Sequence, residues 1–490
     1  MNPFSLAGIS QSLNIIVPEM ILVGTAIVVL MADLFLPEEN KRPLAFIGTA
    51  GTLLALFETI SLGYGVREWG FSGMVANDGL AWFTNVSVLC ATALVLLMST
   101  GYGEWEGTQK GEFHSLVLLS ASGMMLMARG TDLMTVFLGL ETLSIPIYVL
   151  VGFHRGRFTS IEGSLKYFLL GAFGAAFFLY GAALLYAAVG TTKIPTIVMA
   201  ASDPVRATSP LFLAGVGFLL VGIGFKAAIA PFHMWTPDAY EGAPSLVTAF
   251  MSAAVKAAAF AVLLRVAFFL LPAMRDTLVP VFWVLAVLTM TVGNLSALLQ
   301  DNLKRMLAYS SIAHAGYVLV GVLSGDVLGA QAALFYLLVY AFMNIGAFGV
   351  LMIIANREDD GYDIENVSGV GFRYPVLGAL GTLFLVSLAG IPPTAGFIGK
   401  FYLFSAAVKN GYYWLAILGV LNSAASIYYY LRVVVYMYFR PSPADPAPAR
   451  APRMAYSVAL CGAAAVVLVL GIMPRELLAV AERSVLSLLM

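Results

Sequence analysis

The chain predicts an all-α integral membrane protein of about 14 transmembrane helices. Three observations carry that prediction. Of 490 residues, 60% are hydrophobic. Only 11% are charged, where a soluble domain carries about 25%. Apolar stretches long enough to cross roughly 30 Å of hydrocarbon recur along the whole length. The formal net charge of -1 excludes the strong basic field of a nucleic-acid binder, so phospholipid, not nucleic acid, is the expected surrounding.

Spans of crossing length fall near 14–36, 43–63, 79–99, 114–129, 132–153, 163–189, 209–230, 245–271, 278–299, 305–323, 329–355, 375–409, 411–438 and 455–473. The first follows no basic residue and no small-residue cleavage site, so it reads as a retained span and not as a signal peptide. Connections are short and punctuated by Gly, Pro, Asn and Asp. The longest, Thr191–Pro210, Asn356–Tyr374 and Arg440–Arg453, are too short for a soluble domain. Cys90 and Cys461 lie in separate apolar runs and read as small core residues, with no spacing for a disulfide or a metal. His114, His154, His233 and His314 offer no ligand pair on one helix face, and no metal is expected.

Basic residues accumulate in cytoplasmic loops. One set of alternating loops holds Lys41, Arg42, Lys110, Arg155, Arg157, Lys304, Arg305, Arg357, Arg373, Arg440, Arg450 and Arg453. The other holds Arg67, Arg129, Lys193, Arg206, Arg275, Lys409, Arg475 and Arg483. The bias puts both termini on the outer side. Six basic residues remain in or at the edges of spans: Lys166, Lys226, Lys256, Arg265, Lys400 and Arg432. Arg265 and Arg432 are placed to snorkel to an interface; Lys226, Lys256 and Lys400 are flanked by apolar sequence on both sides.

A charge at the centre of a span costs about 2.5–3.5 kcal/mol on insertion scales. Three lysines and an acid would together cost on the order of 10 kcal/mol without compensation. Such groups must face a bundle interior or a wet cavity. Glu141 lies mid-span with Pro146 five residues on; it either neutralises a lysine or titrates against one. Lys226 precedes Pro231, which interrupts the helix, and broken backbone at membrane depth lines cavities or is buried in protein. Lys256 sits among alanines that admit close neighbours. Lys400 follows a break at Gly390, Pro392, Pro393 and Gly396. The helix–break–lysine pattern thus occurs at spans 7 and 12, with the order of break and lysine reversed.

The interval from Glu141 to Lys226 is 85 residues, and from His314 to Lys400 it is 86. Spans 4–8 and 9–13 then correspond as two five-helix repeats, and an odd helix count inverts the second against the first. Inverted repeats with discontinuous helices are a transporter signature. The chain divides into N-terminal helices (1–110), a first repeat (111–271), a second repeat (277–439) and a C-terminal helix (454–490). His314 occupies the counterpart of the Glu141 position and is either a bridge between the halves or a satisfied core histidine. Lys166 is either interfacial or a partner of Glu141. His233, Trp235, Asp238 and Glu241 read as loop caps and interface.

Five stretches, GLETLSIPIYVL (139–150), EGSLKYFLLGA (162–172), GFKAAIAPFHMWTPDAYEGAPSLVTAFMSAAVKAAAF (224–260), SSIAHAGY (310–317) and IPPTAGFIGKFYLF (391–404), resemble the antiporter-like membrane subunits of bacterial NADH–quinone oxidoreductase, respiratory complex I. The likeness covers essentially the whole chain. It implies a proton relay, with Glu141 and Lys226 as the ion pair of one half channel, Lys256 as the central lysine and Lys400 as the lysine of the other half channel. His314 and Lys166 join them as candidates. The sister subunit M has glutamate where Lys400 stands, and the sister subunit L continues into a long lateral helix. The resemblance further implies that NADH, FMN, Fe–S clusters and quinone belong to other subunits, with none of these cofactors in this chain. It implies partners among the membrane subunits, especially subunit M and the small subunit K, and a location in the bacterial inner membrane. The favoured expectation is redox-driven proton pumping by a translocase subunit. The rival is a subunit of a multisubunit cation/proton antiporter or a membrane-bound hydrogenase; a non-conducting scaffold is a third reading.

Overall fold

The computed structural model describes residues 6–38, 40–63, 67–106, 108–354, 362–442 and 451–489. Arg357, Arg450 and residues 443–450 of the proline-rich connection lie outside the described residues.

Among the described residues, thirteen helices are long and apolar enough to cross a membrane, and a pair of shorter apolar helices makes a fourteenth span; they are numbered here in order. Spans 1–3 are Val17–Phe35, Arg42–Leu62 and Gly79–Glu106. Spans 4–8 are Gly111–Arg129, Leu133–Val151, Phe158–Val189, Pro210–Ala227 and the run 245–273. Spans 9–11 are Arg275–Leu298, Leu303–Ser324 and Val327–Ile354. Span 12 is split into Pro375–Ala389 and Ala395–Lys409, and spans 13 and 14 are Tyr413–Phe439 and Met454–Ile472. Spans 8, 10 and 11 are almost wholly enclosed by the others, whereas spans 1, 13 and 14 turn most of their surface outward. With hydrocarbon outside, that outward apolar surface is solvated by lipid tails.

Local chemistry sets the ends. Asp132 caps span 5 by accepting from the Met134 amide at 2.8 Å, and Asn302 caps span 10 by accepting from Lys304 and Arg305. Packing depends on glycine at matched places. A Cβ on Gly123 or Gly139 would meet backbone of the facing helix at 2.4 and 2.6 Å, so spans 4 and 5 touch backbone to backbone. Gly293 and Gly316 do the same for spans 9 and 10, at 2.5 and 2.6 Å. Small residues at such crossings replace the hydrophobic drive that lipid does not supply.

Several short elements and contacts depart from the sequence expectation. A hairpin, Glu68–Gly70 with Val75–Asn77, separates spans 2 and 3. The stretch expected as one C-terminal helix is two, Met454–Ile472 and the amphipathic Arg475–Leu486, because Pro474 intervenes. Arg265 does not snorkel. It is buried and grips Asp78 with both terminal nitrogens, at 2.5 and 3.0 Å. Arg129 is no loop residue: it is fully buried, bonded to Glu19 at 2.5 Å and to Asn77 at 2.8 Å. Both pairs pin the first three spans to the rest, and breaking a buried pair by removing one partner typically costs about 3–5 kcal/mol. Arg432 behaves as expected at an edge, reaching Asp301 at 3.4 Å.

Candidate functional site

Two interrupted helices face the interior, and both close in the same way. Span 7 ends at Ala227; Ala228 turns to the left-handed region (φ 57°) and the Ile229 amide reaches back to Gly224 O at 2.9 Å. Span 12 pauses at Gly390 (φ 83°), and the Ile391 amide reaches Val386 O at 3.2 Å. Each is a Schellman-type closure. The chain then runs through Ala230–Pro231 or Pro392–Pro393, both cis, before a further helix begins.

The freed carbonyls are used. Trp235 Nε1 donates to Phe225 O at 3.0 Å, which ties the loop after the first break back onto span 7. At the second break, Lys400 Nζ donates to Leu388 O, Ala389 O and Ser423 Oγ, each at 3.0 Å. An ammonium there meets both orphan carbonyls and the negative end of the half-helix dipole. Lys400 also sits 4.8 Å from the Tyr317 ring centre.

Lys226 occupies the last turn of span 7 and is 1% exposed. It forms no ion pair with Glu141, contrary to the pairing the resemblance implies. Its ammonium donates instead to the hydroxyl of Tyr148, two helical turns beyond Glu141, at 3.2 Å. Glu141 remains within electrostatic reach of Lys226, and its Oε1 is buried with no hydrogen-bond partner among the described residues. Lys226 also lies about 5 Å from the Tyr148 and Tyr167 ring centres, at 5.0 and 5.1 Å.

From Tyr167 the aromatic contact continues inward. Tyr167 stacks on Trp235 at 4.3 Å, Trp235 meets Tyr240 edge-on at 6.1 Å, and the Tyr240 hydroxyl faces Ser311 without a formed hydrogen bond. Ser311 accepts from Lys256 through both its carbonyl and its hydroxyl. Lys256 follows a π turn, Met251–Val255, a local widening often found at functional sites. Its ammonium lies 5.8 Å from the Tyr340 ring, which is itself 4.9 Å from the His314 ring. His314 is held between two phenols, Nδ1 to Tyr336 Oη at 2.5 Å and Nε2 to Tyr430 Oη at 3.0 Å. It lies within electrostatic reach of both Lys256 and Lys400. Of the six expected site residues, Lys226, Lys256, His314 and Lys400 are buried, and Glu141 is half-buried beside them.

Lys166 is the exception. It bonds Glu162 one turn earlier and Asp238 on the helix Thr236–Gly242, both at 2.7 Å, and not Glu141. Its side chain is 44% exposed because it points away from the bundle centre. Asp238 and Glu241, expected as loop caps, instead share Arg305 at the start of span 10, while Lys304 donates to the carbonyls of Glu241 and Ala243. Burial by itself pushes the Asp238 carboxyl up, but Lys166 and Arg305 outweigh it and hold the group below the usual carboxylate range. Among the described residues no cluster of His, Cys, Asp and Glu is arranged to hold a metal.

The tyrosines around Lys226, Lys256, His314 and Lys400 were missed by a reading that attended to charge. Tyr167, Tyr317, Tyr336, Tyr340 and Tyr430 lie well inside spans, away from the interfacial belts where tyrosine usually sits; that placement was the available signal, and Tyr148, in the last turn of span 5, lacked it.

A family model described as NADH:quinone oxidoreductase/Mrp antiporter, TM, matches residues 130–426. NADH-quinone oxidoreductase subunit N of Trichlorobacter lovleyi is 49% identical over 97% of each chain. A chain of respiratory complex I from Thermus thermophilus superposes with a TM-score of 0.78 at 36% identity, over 94% of this chain and 98% of that one. A chain of the Mrp complex from Dietzia shares the fold alone, with a TM-score of 0.85 at 20% identity over 98% and 97% of the two chains.

Proposed function

This chain belongs to the NADH:quinone oxidoreductase/Mrp antiporter family, among its subunit N members, and from that premise we propose a route for protons through it. It is a multi-pass, proton-translocating membrane subunit of NADH-quinone oxidoreductase in the bacterial inner membrane. The route runs from Glu141 and Lys226 through Lys256 and His314 to Lys400. The observation that carries it is a buried axis in which ammonium, phenol and imidazole groups alternate between the two helix breaks.

Energetics support water along the same axis. Glu141 Oε1, Tyr167 Oη, Tyr240 Oη, Tyr340 Oη and Asn344 Oδ1 are buried without a partner among the described residues. Each costs about 1–3 kcal/mol unless water meets it, and buried waters characteristically bridge such groups. Phenols joined by water pass a proton between lysines that do not touch. A change in the Glu141–Lys226 separation sets the direction. Approach favours the ammonium of Lys226, and withdrawal favours handing its proton toward Ser311 and Lys256. Lys166, with Asp238, Glu241 and Arg305, forms the charged rim beside the first break and is placed to collect protons.

Span 5 supports a neighbouring subunit as the source of that change. Leu138, Thr142, Ile145 and Val149 form an exposed stripe next to Glu141, and subunits M and K are the neighbours the resemblance implies. Redox cofactors then belong to other subunits, and this chain contributes no electron transfer of its own. The equivalence of spans 4–8 and 9–13 as inverted repeats is supported by the matched glycine crossings and the matched helix closures.

The test reconstitutes the whole complex carrying Lys256→Ala in liposomes and reads proton uptake per NADH oxidised. The proposal expects the ratio to fall, or oxidation to stall with it. An unchanged ratio at an unchanged rate overturns the route.

A further inference from the structure

The hairpin after span 2, the short helix Ile194–Ala200, the end of span 8 and the C-terminal segment meet around a cavity of about 250 Å³. One water needs roughly 10–15 Å³ by this measure, so the space admits a group of several heavy atoms. Val198, Met199 and Phe269 make an apolar wall, and two guanidinium groups, Arg67 and Arg265, line it as well. The loops that meet here belong to the set poorer in basic residues, which the charge bias assigns to the outer side.

The two arginines differ in how far they are committed. Arg265 is 4% exposed and spends its terminal nitrogens on Asp78 and Ala128 O, yet its Nε is buried with no partner. Arg67 lies 4.7 Å from the Trp69 ring and donates at 3.4 Å to Leu488 O. Its Nε is also buried and unpartnered, and no carboxylate pairs with it among the described residues. Asp78 neutralises Arg265, which leaves the positive charge of Arg67 uncompensated. Thr131, also in the lining, spends its hydroxyl on Gly73 O. Met199 is 74% exposed, so the apolar wall is continuous with the outer surface.

One net positive charge at Arg67 and an apolar wall leading outward complement a phosphate ester that carries an acyl chain. We propose that this cavity binds one anionic phospholipid, with its phosphate at the Arg67 guanidinium and its chain along Val198, Met199 and Phe269. Free phosphate shares the guanidinium contacts but leaves the apolar wall unused; lipid uses both. Charge-assisted hydrogen bonds from arginine to phosphate are among the stronger ones available.

The experiment uses the intact complex in phosphatidylcholine nanodiscs, titrated with phosphatidylglycerol and, in a parallel arm, with inorganic phosphate. Native mass spectrometry counts retained lipid. One phosphatidylglycerol per copy of this chain is expected to be held, and Arg67→Gln to weaken it about tenfold, the factor that ~1.4 kcal/mol carries. Val198→Trp, which fills the cavity without altering charge, is expected to expel the lipid. Arg206→Gln, an exposed arginine already facing Asp203, is expected to leave retention unchanged. Equal retention in Arg67→Gln and Val198→Trp overturns the proposal. So does displacement of the lipid by millimolar inorganic phosphate, or a map of the complex with a neighbouring subunit's side chain in the cavity.

Discussion

Replacing Gly390 by alanine perturbs Lys400 without removing any charge. The substitution acts twice. At φ 83° the new Cβ occupies the left-handed region, which costs an L-residue roughly 1–2 kcal/mol. The same Cβ would stand 2.8 Å from Lys400 Cδ and 3.3 Å from its Nζ, and overpacking of this kind typically costs about 1–3 kcal/mol. The expected total is about 2–5 kcal/mol, relieved in part if the lysine leaves its three acceptors. That departure breaks charge-assisted bonds worth about 1.5–3 kcal/mol each, so the strain and the displaced ammonium are alternative outcomes of one clash. In liposomes, protons moved per NADH should fall, and the melting temperature of the complex should drop. Gly217→Ala is the control, since its added Cβ meets nothing within 4 Å. Wild-type pumping and melting in Gly390→Ala would refute the reasoning that this break positions Lys400.

Tyr148→Phe keeps the ring beside Lys226 but removes the hydroxyl it donates to. Pumping should fall by tenfold or less, the scale of about 1 kcal/mol for one hydrogen bond, and a proton/NADH ratio equal to wild type counts against Tyr148 as a link. Asp78→Asn leaves Arg265 buried and uncompensated, a loss of about 3–5 kcal/mol; the complex should assemble poorly, which native gels report, whereas Asp203→Asn at the surface should not matter. Asp238 is held low by Lys166 and Arg305 against the opposing pull of burial, so its contribution is present above about pH 4 and is lost as pH falls through its lowered folded value. Hydrogen-exchange protection of the 236–242 helix, taken relative to the intrinsic rate at each pH, should therefore fall on acidification in the wild type and be already low, with little pH response, in Asp238→Asn. Equal behaviour of the two proteins contradicts the assigned ion pairs.

The spans were legible because hydrocarbon thickness imposes a length and a composition that a one-dimensional string records directly. The helix breaks were legible for a related reason: Pro231, Pro392 and Gly390 announce them locally. Partner identity was not. Arg265 looked like a snorkelling residue until Asp78, 187 positions away, was found against it. Lys166 was offered Glu141 by its position on the neighbouring span, but helix rotation turned it to Glu162 and Asp238 instead. Glu141 and Lys226 were expected as an ion pair, and Lys226 instead donates to Tyr148, two turns farther along the helix of Glu141. Such outcomes depend on helix azimuth and crossing, which apolar composition leaves nearly free. The missed C-terminal break at Pro474 had a local signal, and the hairpin at 68–77 had only a weak one.

The grip of Lys304 and Arg305 on the segment 238–243 carries a mechanical corollary. Four contacts, two to carboxylates and two to carbonyls, rivet the short helix behind the first break to the opening turn of span 10. The same span carries Ser311 and His314 farther along its length. The contacts at 304–305 and the groups at 311 and 314 therefore sit on one continuous helix, about two to three turns apart. The first repeat is thereby bolted, through one helix, to the residues that hold Lys256 and to His314 in the second.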